Sequence, residues 1–501
     1  MKNEQLPAGN LQLVILLLIG FIAAQFLSTV DIFFSNAVFH DTLKAVHDAG
    51  YLAVPNMIVA QSLTCFSSAF NGGLFFSFTS GLSLTILTVF AAWIWYILFH
   101  KSRPALIILV LIWAASILII NQNGLSSLIT SYLILIPCTI FPVFGKLFPD
   151  HIRSSSRPVL FTHIALFMLF SISIGYFSQG KAERFLDIRD FLLLRNPTGS
   201  KLNAFYYDNS LYSANYFKSY SQQLIKTCDL NSIQDEHLKQ KLSHIFKRFD
   251  YIPLPASVQA DLTLIIQDNK INFFHQNKAV LAVSVNDFLN SPKQWIKQFE
   301  SNTDQHGIFR MITMASLLFT GAVLLYSIFF LLPFLLIRLF AAPFTATILA
   351  SLICILTLFL LFAGSTGNKN FTSEQISTVL ASEDSTARIR VLRYVVDHKM
   401  DITLFPEYKT LINDGTTPER YWIAKSLSIR DTENNREDLH KLLTDKHFNV
   451  VCMALYSLGK LGKKGDIPII LDTIRTSPNW YVQWYAYKAL RNLGWQQKIL
   501  N

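Results

Sequence analysis

Hydrophobic and polar positions fall into two regimes along the chain. Runs without any Asp, Glu, Lys or Arg occupy residues 5–30, 49–100, 104–145, 158–180, 311–337 and 339–368. A helix needs about 20 apolar residues to cross a bilayer's hydrocarbon layer. The runs therefore predict seven spans, near 11–30, 74–99, 104–121, 126–148, 158–178, 311–337 and 343–363. Two polar stretches, 179–308 and 366–501, carry shorter periodic patterns. In the first, KAERFLDIRDFLLLR at 181–195 has helical spacing, and Asn196-Pro197-Thr198-Gly199 reads as a stop and a turn. A second helix is expected near 211–227, with Tyr212, Tyr216 and Tyr220 on one face and Phe205, Tyr206 and Tyr207 close by. The pattern then becomes β-like over 261–267, 270–275 and 279–285. Asp268-Asn269 and Gln276-Asn277-Lys278 interrupt it, which predicts a three-stranded antiparallel meander, followed by a short helix near 292–300.

Residues 51–70 are charge-free but hold Pro55, Asn56, Gln61, Ser67 and Ser68. Placement of Lys and Arg decides their reading. With seven spans and the N-terminus inside, Lys2, Lys101, Arg103, Lys146, Arg153, Arg157 and Arg338 are cytoplasmic, against Lys44 and Arg310 in the short outer segments. An eighth span would put one basic group outside. Residues 51–70 are therefore expected to be a re-entrant or interfacial helix at the outer face. The expected division is a membrane domain over 1–178 with five spans, an extracytoplasmic α+β domain over 179–308, two more spans within 309–365, and a helical domain over 366–501.

An internal period marks that last domain. Val450, Ala454, Leu458, Leu461 and Gly462 recur 32 residues later as Val482, Ala486, Leu490, Leu493 and Gly494. Periods of this size mean stacked helix pairs that bury a continuous core. VVCMALYSLGKLGKKGDIPIILDTI and WYVQWYAYKALRNLGW resemble the short HEAT-like repeats first described in phycobiliprotein lyases, over about residues 375–495. Units near 375–400 and 418–443 match more loosely, with Ala424 the best anchor. The resemblance implies an α-solenoid whose usual work is docking other proteins. It does not imply lyase activity.

Composition sharpens the class. Charged residues make up 15% of the 501, hydrophobic residues 51%, and the net charge is +10. Residues 179–308 hold 15 basic and 13 acidic side chains, and 366–501 hold 19 and 15. These are mixed surfaces without a nucleic-acid footprint. The five cysteines form no CxxC pair and imply no disulfide framework, with a single Cys228–Cys452 bond between the two polar domains as the alternative. Phosphate-loop, dinucleotide, HExxH, GxSxG and haem-attachment motifs are missing from the chain. No cofactor is expected.

Three sets of residues invite function. Trp480, Tyr481, Trp484, Tyr485 and Tyr487 make the last repeat helix aromatic. They suit either a partner surface or packing on the rest of the chain. His40-Asp41 and His47-Asp48 stand seven residues apart, so the two pairs share a helix face but lie about 10 Å apart along the axis. With Gln61 and Asn71 they would form an alternative substrate or metal site; solvated polar residues are the competing reading, and no metal is assigned. Asn71-Gly72-Gly73 reads as a tight turn or an anion-binding nest. Gly73, Ser77, Gly81 and Thr85 form a small-residue stripe for close helix packing.

The expected protein is a polytopic α-helical membrane protein of about seven spans, with an extracytoplasmic α+β domain and a C-terminal α-solenoid of HEAT-like repeats. Its place is a bacterial-type cytoplasmic (inner) membrane, with the N-terminus inside and both large polar domains outside. The leading expectation is a non-enzymatic scaffold that docks partner proteins of a membrane or envelope assembly. The alternative is a membrane enzyme or translocator handling lipid-linked or small apolar substrates at the outer face.

Overall fold

The computed structural model describes residues 8–99, 101–147, 186–255, 259–363 and 371–499. Among the described residues, helices cover the predicted spans. The expected span 158–178 lies outside these residues. The chain is mostly helical, and it divides into two compact units. One comprises 1–33, 69–184 and 305–368; the other comprises 34–68, 185–304 and 369–501.

Helix α1 is Ala8–Asp48. Helix α2 is Met57–Leu63. The long apolar helix Phe66–Tyr96 contains α3 (Phe66–Phe76), a π-helical stretch at Ser77–Gly81, and α4 (Leu82–Trp93). Helices α5 (Arg103–Ile120) and α6 (Ser127–Leu147) follow. Among the described residues, five helices are long and apolar enough to cross a membrane: Gln12–Asp48, Phe66–Tyr96, Arg103–Ile120, Ser127–Leu147 and Gly307–Arg338.

In the first unit the small-residue stripe lies against α1. A Cβ on Gly73 would stand 2.8 Å from Ser28 Oγ, and one on Gly81 would stand 2.4 Å from Ala24 Cβ. Ser77 donates to Gln25 Oε1 at 2.8 Å, and Thr85 packs where Gly20 has no side chain. The stripe lets two backbones approach, and hydroxyls then satisfy one another across the contact.

The second unit contains a five-stranded sheet. Helix α7 is Pro197–Phe217, β1 is Lys226–Asp229, α8 is Glu236–Arg248, β2 is Tyr251–Pro253, β3 is Leu262–Gln267, β4 is Lys270–His275 and β5 is Lys278–Ser284. The strand order is β2-β1-β3-β4-β5. The meander β3-β4-β5 is antiparallel as expected, and both of its tight turns place two residues at positive φ: Asp268 and Asn269, then Gln276 and Asn277. That geometry matches the twist of a hairpin. Strand β1 adds parallel to β3 on one side and to β2 on the other, with α8 as the crossover. Helices α9 (Val285–Asn290) and α10 (Pro292–Asn302) close the layer, burying Phe288 and Phe299 with Phe246 and Phe273.

Two expectations shift here. The stop falls where it is expected, since the helical stretch Ile188–Leu194 ends just before Asn196, but Asn196-Pro197 opens a new helix in place of a turn: Asn196 Oδ1 accepts from Thr198 and Gly199 N–H, and Pro197 takes the first helical position. Proline suits that position because the N–H it lacks would have no helical partner there. The tyrosines at 212, 216 and 220 are not on one helix, since α7 ends at Phe217. Tyr212 is buried with its hydroxyl 2.9 Å from Ser62 Oγ, whereas Tyr220 stacks on Phe299 beneath the sheet.

Helices α11 (Gly307–Arg338) and α12 (Pro343–Ala363) belong to the first unit. Four helix pairs then complete the second: α13 (Ser373–Ala381) with α14 (Ser385–Asp397), α15 (Tyr408–Asp414) with α16 (Thr417–Ser426), α17 (Glu433–Leu442) with α18 (Phe448–Leu461), and α19 (Ile467–Thr476) with α20 (Trp480–Asn492). The second helix of each pair stacks on the second helix of the next. The repeated glycines Gly462 and Gly494 both adopt φ near +80° beyond a helix end, the conformation a side chain resists.

Candidate functional site

Within the second unit, α14, α16, α18 and α20 carry the contacts that the rest of the chain makes with the C-terminal helices. Three separate parts of the chain seat these helices. The segment between α1 and α2 is stitched to the last pair. Gln497 exchanges two hydrogen bonds with Leu52, donating to its carbonyl at 2.9 Å and accepting from its N–H at 3.2 Å. The Asn56 N–H donates to Gln483 Oε1 at 2.7 Å, and its side-chain amide donates to the carbonyls of Ile474, Arg475 and Ser477. Residues 51–70 are thus an extended strap followed by the short helix α2 and the start of α3.

The second seat is a π-helical turn, Ile188–Leu194, with α7. The Asp190 carboxylate is fully buried. Arg393 donates to it at 2.5 and 3.1 Å, Trp422 Nε1 at 2.7 Å and Arg189 Nε at 2.8 Å. Along α7, Asn203 donates to Asn449 and Trp480 Nε1 donates to the Tyr207 carbonyl at 2.5 Å. The third seat is the start of β2, where Asp250 accepts from the Tyr487 hydroxyl at 2.6 Å and pairs with Arg491 at 3.2 Å. Burial raises the Asp250 carboxyl above the usual range, and Arg491 opposes that.

The aromatic last helix is therefore engaged along its length by the chain itself. Tyr481 packs on Tyr207 with ring centroids 4.4 Å apart, and it stacks on Trp484 and meets Tyr485 edge-on. Tyr487 is buried. Where α20 meets α7 and the strap, a narrow cleft of about 20 Å³, partly open to solvent, remains between Trp480, Trp484, Leu211 and Pro55. Lys218 lies in it, 5.8 Å from the Trp480 ring, and Lys488 stands 3.5 Å over the Trp484 ring. Burial, assisted by the charge of Lys488, lowers the Lys218 ammonium to about 8.

That shift has a sign that can be tested. Between pH 8 and about 10.4 the folded state binds fewer protons at Lys218 than the unfolded chain does, so this group's contribution to stability rises with pH across that window. At neutral pH the charge is a cost. Lys218→Met is expected to stabilise the unit by roughly 1–2 kcal/mol at pH 7, after allowing for the lost cation–π contact and the part of the ammonium that water reaches. The gain should vanish by pH 10.5. Thermal melts of both forms at the two pH values check this.

The other expected site residues are dispersed. His40 Nδ1 lies 3.2 Å from its neighbour Asp41, and His47 Nδ1 lies 3.5 Å from Asp48. Among the described residues no group of three His, Cys, Asp or Glu side chains is close enough to hold one ion. Gln61 is exposed near the end of α2, where its carbonyl accepts from the Thr64 hydroxyl at 3.0 Å. Asn71-Gly72-Gly73 is neither a turn nor an anion nest, because it continues α3 through its middle. Cys228 and Cys452 are buried and free.

The pairing geometry of α15–α20 agrees with a comparison of the sequence: residues 408–491 match the family model of HEAT repeats. The C-terminal region is HEAT-like. No curated protein and no solved structure matches the chain. Within the HEAT-like region, ion pairs link successive pairs of helices. Arg388 donates to Glu419 at 2.7 Å and to the Ser382 carbonyl, and Arg420 donates to Asp445 at 2.5 Å and to the Gly415 carbonyl. The two arginines stand 32 residues apart, at the period already visible in the apolar residues. That spacing was a usable signal for the earlier repeats. The seating residues Asp190, Asn56, Gln483 and Gln497 had none, since each is a lone polar residue whose partners lie far away in sequence.

Proposed function

We propose that this protein is a multi-pass membrane scaffold whose HEAT-like helices dock partner proteins at the outer face of a bacterial-type cytoplasmic membrane. The observation that carries the reading is the HEAT-like region itself, because solenoids of stacked helix pairs use their long surfaces for binding. Helices α14, α16, α18 and α20 are occupied by the Ile188–Leu194 turn, the strap, α7 and β2. The layer left for partners is α13, α15, α17 and α19, which exposes charged side chains such as Lys409, Glu433, Glu437 and Asp472.

The membrane part of the proposal is supported by exposed apolar side chains on the long helices, Leu118 and Leu318 among them. Such patches are unusual on a soluble surface. Sidedness is supported by the make-up of the second unit. Its three segments share one side of a membrane only if the chain crosses an even number of times between them. Before residue 185, the helix Phe66–Tyr96 with α5 and α6 supplies three crossings, and the charge-free run 158–180, outside the described residues, supplies sequence for a fourth. Helix α11 supplies one later crossing, and the charge-free run 339–368, which holds the shorter apolar helix α12, supplies sequence for a second. The basic residues Lys101, Arg103 and Lys146 then fall on the opposite, cytoplasmic side. Single cysteines placed at Asp48, Asn231 and Glu433 are expected to react with a membrane-impermeant maleimide on intact cells. Labelling of any one only after permeabilisation would reverse its side.

Docking is tested by co-purification in mild detergent. The native chain is compared with a variant carrying Lys409→Glu, Glu433→Lys, Glu437→Lys and Asp472→Lys. At least one protein absent from an unrelated membrane bait should be lost from the variant. Identical partner sets would sink docking through this layer.

A further inference from the structure

His447 fastens α7 to α18 with both of its ring nitrogens, and the fastening works in one charge state only. The residue stands just before α18, where its Nδ1 accepts from the Asn449 N–H at 3.3 Å and caps the helix. An acceptor at Nδ1 puts the single ring proton of the neutral imidazole on Nε2. That nitrogen lies 3.3 Å from Ser200 Oγ, near the start of α7, and donates to it. Three residues further along α7, Asn203 donates to Asn449 Oδ1 at 3.0 Å. The first turns of α7 are thus held on the start of α18 through a neutral histidine. Serine, threonine and asparagine also cap helices, and none of them titrates; histidine loses its acceptor when it takes a proton.

A proton on Nδ1 sets two donors against each other, the ring N–H and the Asn449 N–H. It also places positive charge at the N-terminal end of α18, where the helix dipole opposes it. The charged groups that act on the ring are divided: Asp445, on the same turn, favours the proton, whereas Arg420 of α16 opposes it and pairs with Asp445 at 2.5 Å. Lys201 and Lys446, next in sequence to Ser200 and His447, are exposed. Tyr207 of α7 and Tyr481 of α20 pack on Phe448, whose ring stacks on the imidazole. Burial, opposed by Asp445 and helped by Arg420, lowers His447 below the ordinary 6.5. Just below that pH the folded state therefore binds fewer protons here than the unfolded chain. The seam's contribution to stability is full above 6.5 and is lost as the pH falls from there to the lowered value. We propose that His447 is a proton-operated latch, whose protonation releases the first turns of α7 from α18. Tyr207 and Tyr212 keep the rest of α7 in place through Trp480 and Ser62. What opens is the stretch of seam at Asn203 and Asn449, both buried while the latch is shut. The latch does not depend on what the HEAT-like helices bind.

The test measures the separation of α7 and α18 in the full chain in phosphatidylcholine nanodiscs. Nitroxide labels are attached at Lys201→Cys and Lys446→Cys, both exposed positions, after the exposed Cys65 and Cys138 are changed to serine. Pulsed dipolar spectroscopy is expected to give one narrow distance at pH 7.5. At pH 5.0 a second population should appear, longer by about 5 Å, one helical turn, or more. His447→Asn keeps a good cap that does not titrate, so its distance should be the same at both values. A variant that stands open at both values also assigns the latch to the ring. Asp445→Asn tests the same device with the ring in place: it removes the charge that favours the proton, and the midpoint of opening should move to lower pH. An unchanged distance in the native chain, an equal pH-dependent change in His447→Asn, or a midpoint that does not move down in Asp445→Asn would overturn the proposal.

Discussion

Asp190→Ala is expected to destabilise the second unit by about 3 kcal/mol, among the largest effects of any single side-chain truncation in the chain. The carboxylate has no exposure and neutralises Arg393 and Arg189 while accepting the Trp422 indole N–H. Truncation leaves two guanidinium groups and an indole donor facing one another in a site closed to water. Breaking a buried pair on one side typically costs about 3–5 kcal/mol. The low end applies because Arg393 keeps Asp187 at 2.5 Å. Asp187 is half-exposed, so Asp187→Ala should cost less than about 1 kcal/mol. Asp190→Asn retains an acceptor for Trp422 and should fall between the two. Pairing Asp190→Ala with Arg393→Met removes a stranded charge and should recover part of the loss. Thermal unfolding of the purified chain, followed by tryptophan fluorescence, reads all four. A loss below 1 kcal/mol for Asp190→Ala would mean that the network does not hold the HEAT-like helices in place.

What the sequence made legible follows from how far apart interacting residues are. The meander was readable because strand alternation and turn residues lie within a few positions of each other; Asp268-Asn269 both marks the turn and adopts its positive φ. The last repeats were readable because Val450 and Val482 recur at a fixed interval and face equivalent buried positions. Strands β1 and β2 were not, since KTCD and YIP are too short to show a period of two, and their pairing depends on α8 between them. The strap was misleading for a related reason. Residues 51–56 are apolar enough for a bilayer, but Leu52, Val54 and Pro55 bury their surface within the second unit instead. Hydropathy reports the wish to leave water and not the destination. Similarly, the aromatic α20 announced an interface but not its partner, and α7 and the start of β2 of the same chain pack against it.

The strap also sets the other large expectation. Asn56→Ala should cost about 2–3 kcal/mol, because one side chain closes two helix ends at once. Its Oδ1 accepts from Val59 N–H at 3.1 Å and caps α2. Its amide donates to Ile474 and Arg475 carbonyls in the last turn of α19 and to Ser477 beyond it, groups that have no helical donor of their own. Losing an N-cap costs about 1 kcal/mol, and leaving a buried carbonyl unsatisfied costs about 1–3 kcal/mol, partly relieved by Gln483, whose amide also donates to the Ser477 carbonyl. Asn56→Asp discriminates this account from simple cap loss. The carboxylate is as good a cap for α2 as the amide, yet it would aim negative charge at three carbonyl oxygens. Asn56→Asp should therefore be more damaging than Asn56→Ala at pH 7, and its deficit should shrink as the pH falls and the carboxyl becomes a donor. If Asn56→Asp instead matched the native chain, the α19 carbonyls would not be what holds the strap. Hydrogen exchange at Leu52, whose N–H donates to Gln497 Oε1, gives a local readout: faster exchange in both variants, with the β4–β5 hairpin unchanged, would locate the loss at the strap.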